Sequence, residues 1–157
     1  MNYWLVGAKW GGEEETLDTF IEKGYWYCWD PKYHIPNPDA FSGGNSVARQ
    51  QNSFKEIKKG DRIAVKRLQG PGSRMIDILA IGIAKTDADE SEWRVYVDWI
   101  AISPVLLKLE NFKNLTNLPK IVFSEHREIE IGDCRASIHG PYSLEKNKEW
   151  LPNVFFI

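Results

Sequence analysis

The segment KKGDRIAVKRL, residues 58–68, sets the frame for the rest of the chain. Gly60 and Asp61 make a turn. Behind it Ile63 and Val65 alternate with Arg62, Lys66 and Arg67, the two-residue period of a strand. Outward from this point, MIDILAIGIAK (75–85) reads as a long β-branched strand in which Gly82 marks a bulge or a close backbone approach. After the acidic turn TDADESE, WRVYVDWIAI (93–102) alternates well enough to be another strand. On the N-terminal side, 46–57 is expected to be a helix, with Val47, Phe54 and Ile57 on one side. YWLVGA (3–8) is a short buried strand.

Residues 13–23, EEETLDTFIEK, put Leu17, Phe20 and Ile21 on one helical stripe, with acids first, Lys23 last and Gly24 behind. That order suits both ends of a helix electrostatically and supplies a C′ glycine. Residues 104–118 carry leucines at a ragged helical period, IVFS and EIEI (121–131) suggest one or two short strands, and the tail contains IHGPYSL and WLPNVFFI. The succession β, α, α, then mostly β predicts an α+β domain with a curved, largely antiparallel sheet or small β-barrel flanked by helices. At 157 residues the length suits one domain.

The net charge of −2 excludes a strongly basic nucleic-acid coat but not a local basic face. Two cysteines are too few for a disulfide framework. No signal-like leader or apolar run of membrane-spanning length is evident, and a cytoplasmic location without a membrane partner is expected. His34, His126 and His139 form no metal-ligand spacing, and there is no GxSxG, GxxxxGK[ST] or GxGxxG. The sequence predicts no catalytic residue, no metal and no cofactor.

The excess lies in flat side chains: aromatics are 13% of the chain, and seven are Trp. KGYWYCWDPKY (23–33) holds Tyr25, Trp26, Tyr27, Trp29 and Tyr33 without alternation, and Pro31 interrupts it. Trp4, Trp99 and Trp150 sit in apolar runs and read as core. Trp10, Trp26, Trp29 and Trp93 flank turns that this architecture brings toward one rim. Two or three rings around a gap suit a planar group. Stacking contributes about 1–3 kcal/mol per base, which offsets the few kcal/mol of extruding a base from a duplex. A methyl group in an apolar cage adds about 0.8 kcal/mol. Lys58, Lys59, Arg62 and Arg67 lie nearby in sequence and are candidate phosphate contacts.

YWLVGAKW, FIEKGYWYCWD, SFKEIKKGDRIAVKR, ILAIGIAK and VYVDWI, in that order, resemble the EVE/YTH group of the PUA-like superfamily. The likeness is strongest to the EVE-like N-terminal module of McrB-type restriction GTPases. It covers roughly residues 2–102. It implies a single EVE/PUA-like domain over 1–157 and recognition of a modified, typically methylated, base in an aromatic cage. YTH members bind methylated adenine in RNA, and McrB-type modules bind modified bases in DNA. Carried over, Trp26 matches the cage Trp that follows the first helix, and Trp93 falls in the region of the second ring. Trp29 and Trp10 have looser correspondence. Asn45 and Ser46 fall where EVE proteins have a V-R-N segment, a signature this chain lacks. The loop 30–45 is longer than usual.

The resulting expectation is a non-catalytic reader of a modified or flipped base, with DNA favoured over RNA and a nuclease or GTPase partner encoded nearby. A nucleotide-like small-molecule site and a protein-interaction adaptor are the alternatives. An RNA-modifying or deaminating enzyme ranks below them, for want of a nucleophile or metal set.

Overall fold

A computed structural model describes residues 1–10, 14–32 and 46–157, the side chain of Trp10 excepted. The first strand, β1 (Tyr3–Gly7), is followed by β2 (Lys9–Trp10), β3 (Glu14–Glu15), helix α1 (Leu17–Lys23), β4 (Tyr25–Trp26) and helix α2 (Val47–Lys55). Three long strands come next: β5 (Arg62–Leu68), β6 (Met75–Ala84) and β7 (Val95–Ile102). A 3-10 turn at Pro104–Lys108 leads to α3 (Glu110–Lys113), β8 (Ile121–Val122), β9 (Arg127–Glu130), β10 (Ile138–Tyr142) and α4 (Leu151–Phe155).

The main sheet runs β10-β1-β5-β6-β7-β4, with β8 added to β7 and β9 to β6. Most pairs are antiparallel. β1 runs parallel to β5 and β8 parallel to β7, so the sheet is mixed. β6 curls it into a half-barrel. Met75–Ile78 pair with β9, Ala80–Ala84 pair with β7, and the other edge of β6 carries β5. Register shifts at Val65/Lys66 and Ile81/Gly82 supply the bends.

Two apolar layers follow from the two-residue period of the strands. Trp4, Val6, Ile63 and Val65 join Leu17, Phe20, Trp26, Phe54 and Trp93 in one cluster. Tyr3, Leu5, Ala64, Ile76 and Ile78 join Phe123, Leu151, Val154 and Phe155 in the other. Covered on both faces, β1 needs no polar side, which is why YWLVG is a continuous apolar run.

The turn at 58–61 is fixed from inside. Asp61, 2% exposed, accepts from Asn2 N at 2.9 Å, Trp4 Nε1 at 2.9 Å and Lys58 N at 3.0 Å. Gly82 is a close approach, as its sequence context predicts. A Cβ there would lie 2.4 Å from Val97 Cγ1 and 2.9 Å from Trp99 Cε3.

Two expectations change. The first helix starts at Leu17 rather than Glu13, because Glu14–Glu15 pair with Lys9–Trp10 as a two-stranded ribbon. The ragged 104–118 segment divides into the 3-10 turn and the single-turn α3. The sheet is largely antiparallel, as expected, and its two parallel pairs went unseen because hydropathy patterns carry no strand direction. Among the described residues, no helix is long and apolar enough to cross a membrane.

Candidate nucleic-acid interface

The first helix ends on Gly24, whose left-handed backbone (φ 72°) turns the chain into β4. β4 pairs with the start of β7, placing Trp26 opposite Val95 and Trp93 two residues before that pair. The sequence therefore brings Trp26 and Trp93 into one apolar cluster, with Trp29 packed against it. Trp26 is fully buried, and its Nε1 donates to Gly7 O at 2.9 Å. Trp93 is 5% exposed and donates to Cys28 O at 2.5 Å. Trp29, half-buried, donates to Gln50 Oε1 at 2.8 Å, and its own carbonyl accepts from Gln51 Nε2 at 3.2 Å.

Helix α2 supplies what sequence reasoning missed. Phe54 stacks on Trp93 with centroids 4.5 Å apart and planes 23° from parallel. It also meets Trp26 at 6.1 Å and 37°. The two rings singled out from the sequence thus share Phe54 as a packing partner. Gln50, 2% exposed, joins Trp29 to Ser137, whose backbone N–H donates to the same Oε1 at 2.6 Å. The i, i+4 spacing of Gln50 and Phe54 was the available signal, since it places both on one face of α2.

The backbone here is unusual. Among the described residues the only non-glycine residues with positive φ are Trp29 (46°) and Trp93 (56°). Left-handed backbone costs a bulky residue of order 1–3 kcal/mol and persists only where its surroundings enforce it.

Outside this cluster lies a cleft of about 620 Å³ lined by Asp30, Pro31 and Lys32, by Lys55 at the end of α2, and by the 90–94 loop with Trp93 and Arg94. Arg94 lies over the rings of Tyr27 (4.0 Å) and Tyr25 (4.7 Å). Cations and acids are balanced on its walls: Lys32, Lys55 and Arg94 face Asp30, Glu90 and Glu92, and Lys55 pairs with Glu90 at 3.5 Å.

The remaining candidates disperse. Lys58 and Lys59 are exposed on their turn, and Lys59 borders a shallow depression with Lys85 and the 86–90 loop. Arg62 Nη1 is bonded to Gly60 O at 2.6 Å. Arg67 stands at the opposite end of β5 and is paired with Glu15 at 2.8 Å. Ser46 is the N-cap of α2, its hydroxyl accepting from Arg49 N at 3.3 Å. The backbone of Trp10 pairs with Glu14. Asn45 and the loop 33–45 lie outside the described residues.

Burial holds the Cys28 thiol well above its ordinary value and raises Cys134 as well, so neither is a ready thiolate. Burial also lowers His139 to about 4, and the neighbouring Lys66 charge adds to this. Lys66 is itself lowered by burial, and its Nζ donates to Cys134 O at 2.5 Å and Ala136 O at 2.7 Å. This buried lysine, named from the sequence only as alternating with Ile63 and Val65, ties the 134–136 segment to β5.

No family model matches the chain, and no curated protein matches it.

Proposed function

We propose that this chain is a non-catalytic nucleic-acid-binding module that reads a modified or flipped base, with DNA favoured over RNA. Its curled mixed sheet, the Trp after α1 and the Asp61 turn are compatible with the PUA-like fold of the EVE/YTH group. The observation that carries the reading is the left-handed backbone at both Trp29 and Trp93, at the border of the one cluster where three candidate rings meet. Strain held at aromatic residues beside a cleft is the pattern of a binding site rather than of passive packing.

In this reading the cleft of about 620 Å³ is the mouth of the site, and its volume suits a nucleoside-sized group. A base enters along Trp93, the Arg94–Tyr27 stack flanks it, and Lys55 and Lys32 meet adjacent phosphates. Seating the base between Trp26 and Trp93 requires Phe54 to give way, so α2 is the element that adjusts. The module acts in the cytoplasm, beside a nuclease or GTPase that supplies the chemistry this chain lacks.

The test is a titration of single-stranded and duplex oligonucleotides with methylated or unmodified bases, from ~50 to ~200 mM salt. Tighter binding of a modified strand, weakened by salt and by Trp29→Ala or Arg94→Gln, supports the reading. Equal, weak binding of every oligonucleotide, indifferent to both substitutions, overturns it.

The balanced charge of the cleft favours one second reading, a site for a nucleotide-like small molecule. There, free nucleosides bind with little salt dependence, and oligonucleotides gain nothing over them.

A further inference from the structure

Along the β6–β9 ladder, Asp77 stands directly opposite Glu128. Two carboxylates facing each other across an antiparallel pair repel, so the position asks for a cation or a donor between them. Arg67 is opposite Asp77 on the β5 side but is committed to Glu15. His126, one residue before β9, places Nε2 2.9 Å from Asp77 Oδ1. The Gln69 amide donates to Asp77 Oδ1 at 2.9 Å and to Glu128 Oε2 at 2.6 Å. One ligand atom from each of Asp77, His126 and Glu128 lies within 4.8 Å of the others.

We propose that Asp77, His126 and Glu128 form a binding site for a divalent transition-metal ion, with zinc the best match. Nitrogen and carboxylate ligands sit about 2.0–2.2 Å from such an ion, so ligand atoms around it stand roughly 3–4 Å apart. A rotamer adjustment of these part-exposed side chains closes the observed spacing to that range. The Gln69 amide, which gathers both carboxylates on one donor, occupies the cation's place and swings aside when the ion enters. The imidazole selects zinc, nickel or copper over magnesium, which prefers oxygen-only ligation and retained waters. With three protein ligands at the surface, a fourth position stays open to water or to an external ligand. The set shares no residue with the Trp93 cleft. Its ligands come from two strands and a turn, so chain spacing does not reveal it.

The test is calorimetric titration of the full chain with zinc chloride and, separately, magnesium chloride in a non-coordinating buffer, alongside thermal melts. The expected result is saturable binding of one zinc ion and a melting point raised by several degrees. His126→Ala and Glu128→Gln each weaken binding at least about tenfold, while His34→Ala changes nothing. Both ligand substitutions fall on exposed side chains, so the variants remain folded for comparison. The proposal is overturned if zinc neither binds saturably nor shifts the melt, if magnesium binds as well as zinc, or if the two ligand variants bind like the parent.

Discussion

Phe54 lies stacked on Trp93, with ring centroids 4.5 Å apart and planes 23° from parallel. The same ring touches Trp26, so one side chain of α2 belongs to both aromatic residues that the sequence marks as a cage. A helix that packs through such a residue is a candidate gate as well as a wall. Phe54→Leu shortens the plug while keeping an apolar core. It is expected to cost about 1–3 kcal/mol in urea unfolding, the loss of a stacked ring plus a partial cavity. The same variant should bind a modified oligonucleotide more tightly than the parent. Weaker binding from an equally folded variant would mean that Phe54 is part of the recognition surface itself.

Phosphate contact should be confined to the cleft side. Lys55 and Lys32 line the cleft, whereas Arg67 is tied to Glu15 at the far end of β5. Lys55→Ala and Lys32→Ala should each lower the salt slope of oligonucleotide binding by about one. Arg67→Ala should leave that slope unchanged.

Asp61 is a stability residue. Its carboxylate accepts from Trp4 Nε1 and from the backbone N–H groups of Asn2 and Lys58. Asp61→Ala strands all three donors in or near the core, and a loss of about 3 kcal/mol or more is expected. Chemical denaturation monitored by Trp fluorescence reads it. A loss within 0.5 kcal/mol or so of zero, the range of ordinary surface changes, would mean that water replaces the carboxylate.

His139 predicts a pH dependence. Burial and the Lys66 charge lower its folded value to about 4, against roughly 6.5 for a free histidine. The unfolded chain therefore binds the proton more readily. The contribution is fully present above pH ~6.5 and is lost as pH falls toward ~4, where the folded imidazole is protonated as well. Allowing for partial exposure, it amounts to about 2–3 kcal/mol. His139→Gln should flatten the stability profile between these limits relative to the parent. Parallel profiles for the two proteins would remove His139 as the source.

Gly82→Ala inserts a methyl group 2.4 Å from Val97 Cγ1, beside the Trp99 ring. The β6–β7 pair must part to admit it, at an expected cost of about 1–3 kcal/mol in unfolding free energy. A shift in melting temperature of several degrees, with unchanged far-ultraviolet dichroism, is the observable.

The strands 62–68 and 95–102 were legible from their two-residue alternation and 75–84 from its run of β-branched residues, and the bulge at Gly82 because a strand interior has little other use for glycine. The convergence of Trp26 and Trp93 was legible from their places beside turns. What filled the space between them was not. Phe54 read only as one apolar residue of a helix, and its partners lie 28 and 39 positions away by numbering. The basic residues misled for a related reason. Lys58 and Arg67 are close in sequence, yet a strand carries them to opposite ends of the sheet, and Lys66 points inward to carbonyls of a segment near position 135. Pairs across strands, such as Asp77 with Glu128, depend on register, which a single sequence fixes only where a turn connects the partners.

The turn that ends in Asp61 reads, in the chain, simply as a turn before a strand. Its aspartate is instead a knot that fastens the opening of the first strand to the opening of the fifth. Selection on such a residue acts through folding, so the turn can persist while everything at the rim is rewritten. Proteins that share it with this one would share a scaffold, and their ligands would have to be learned from the residues around the cleft.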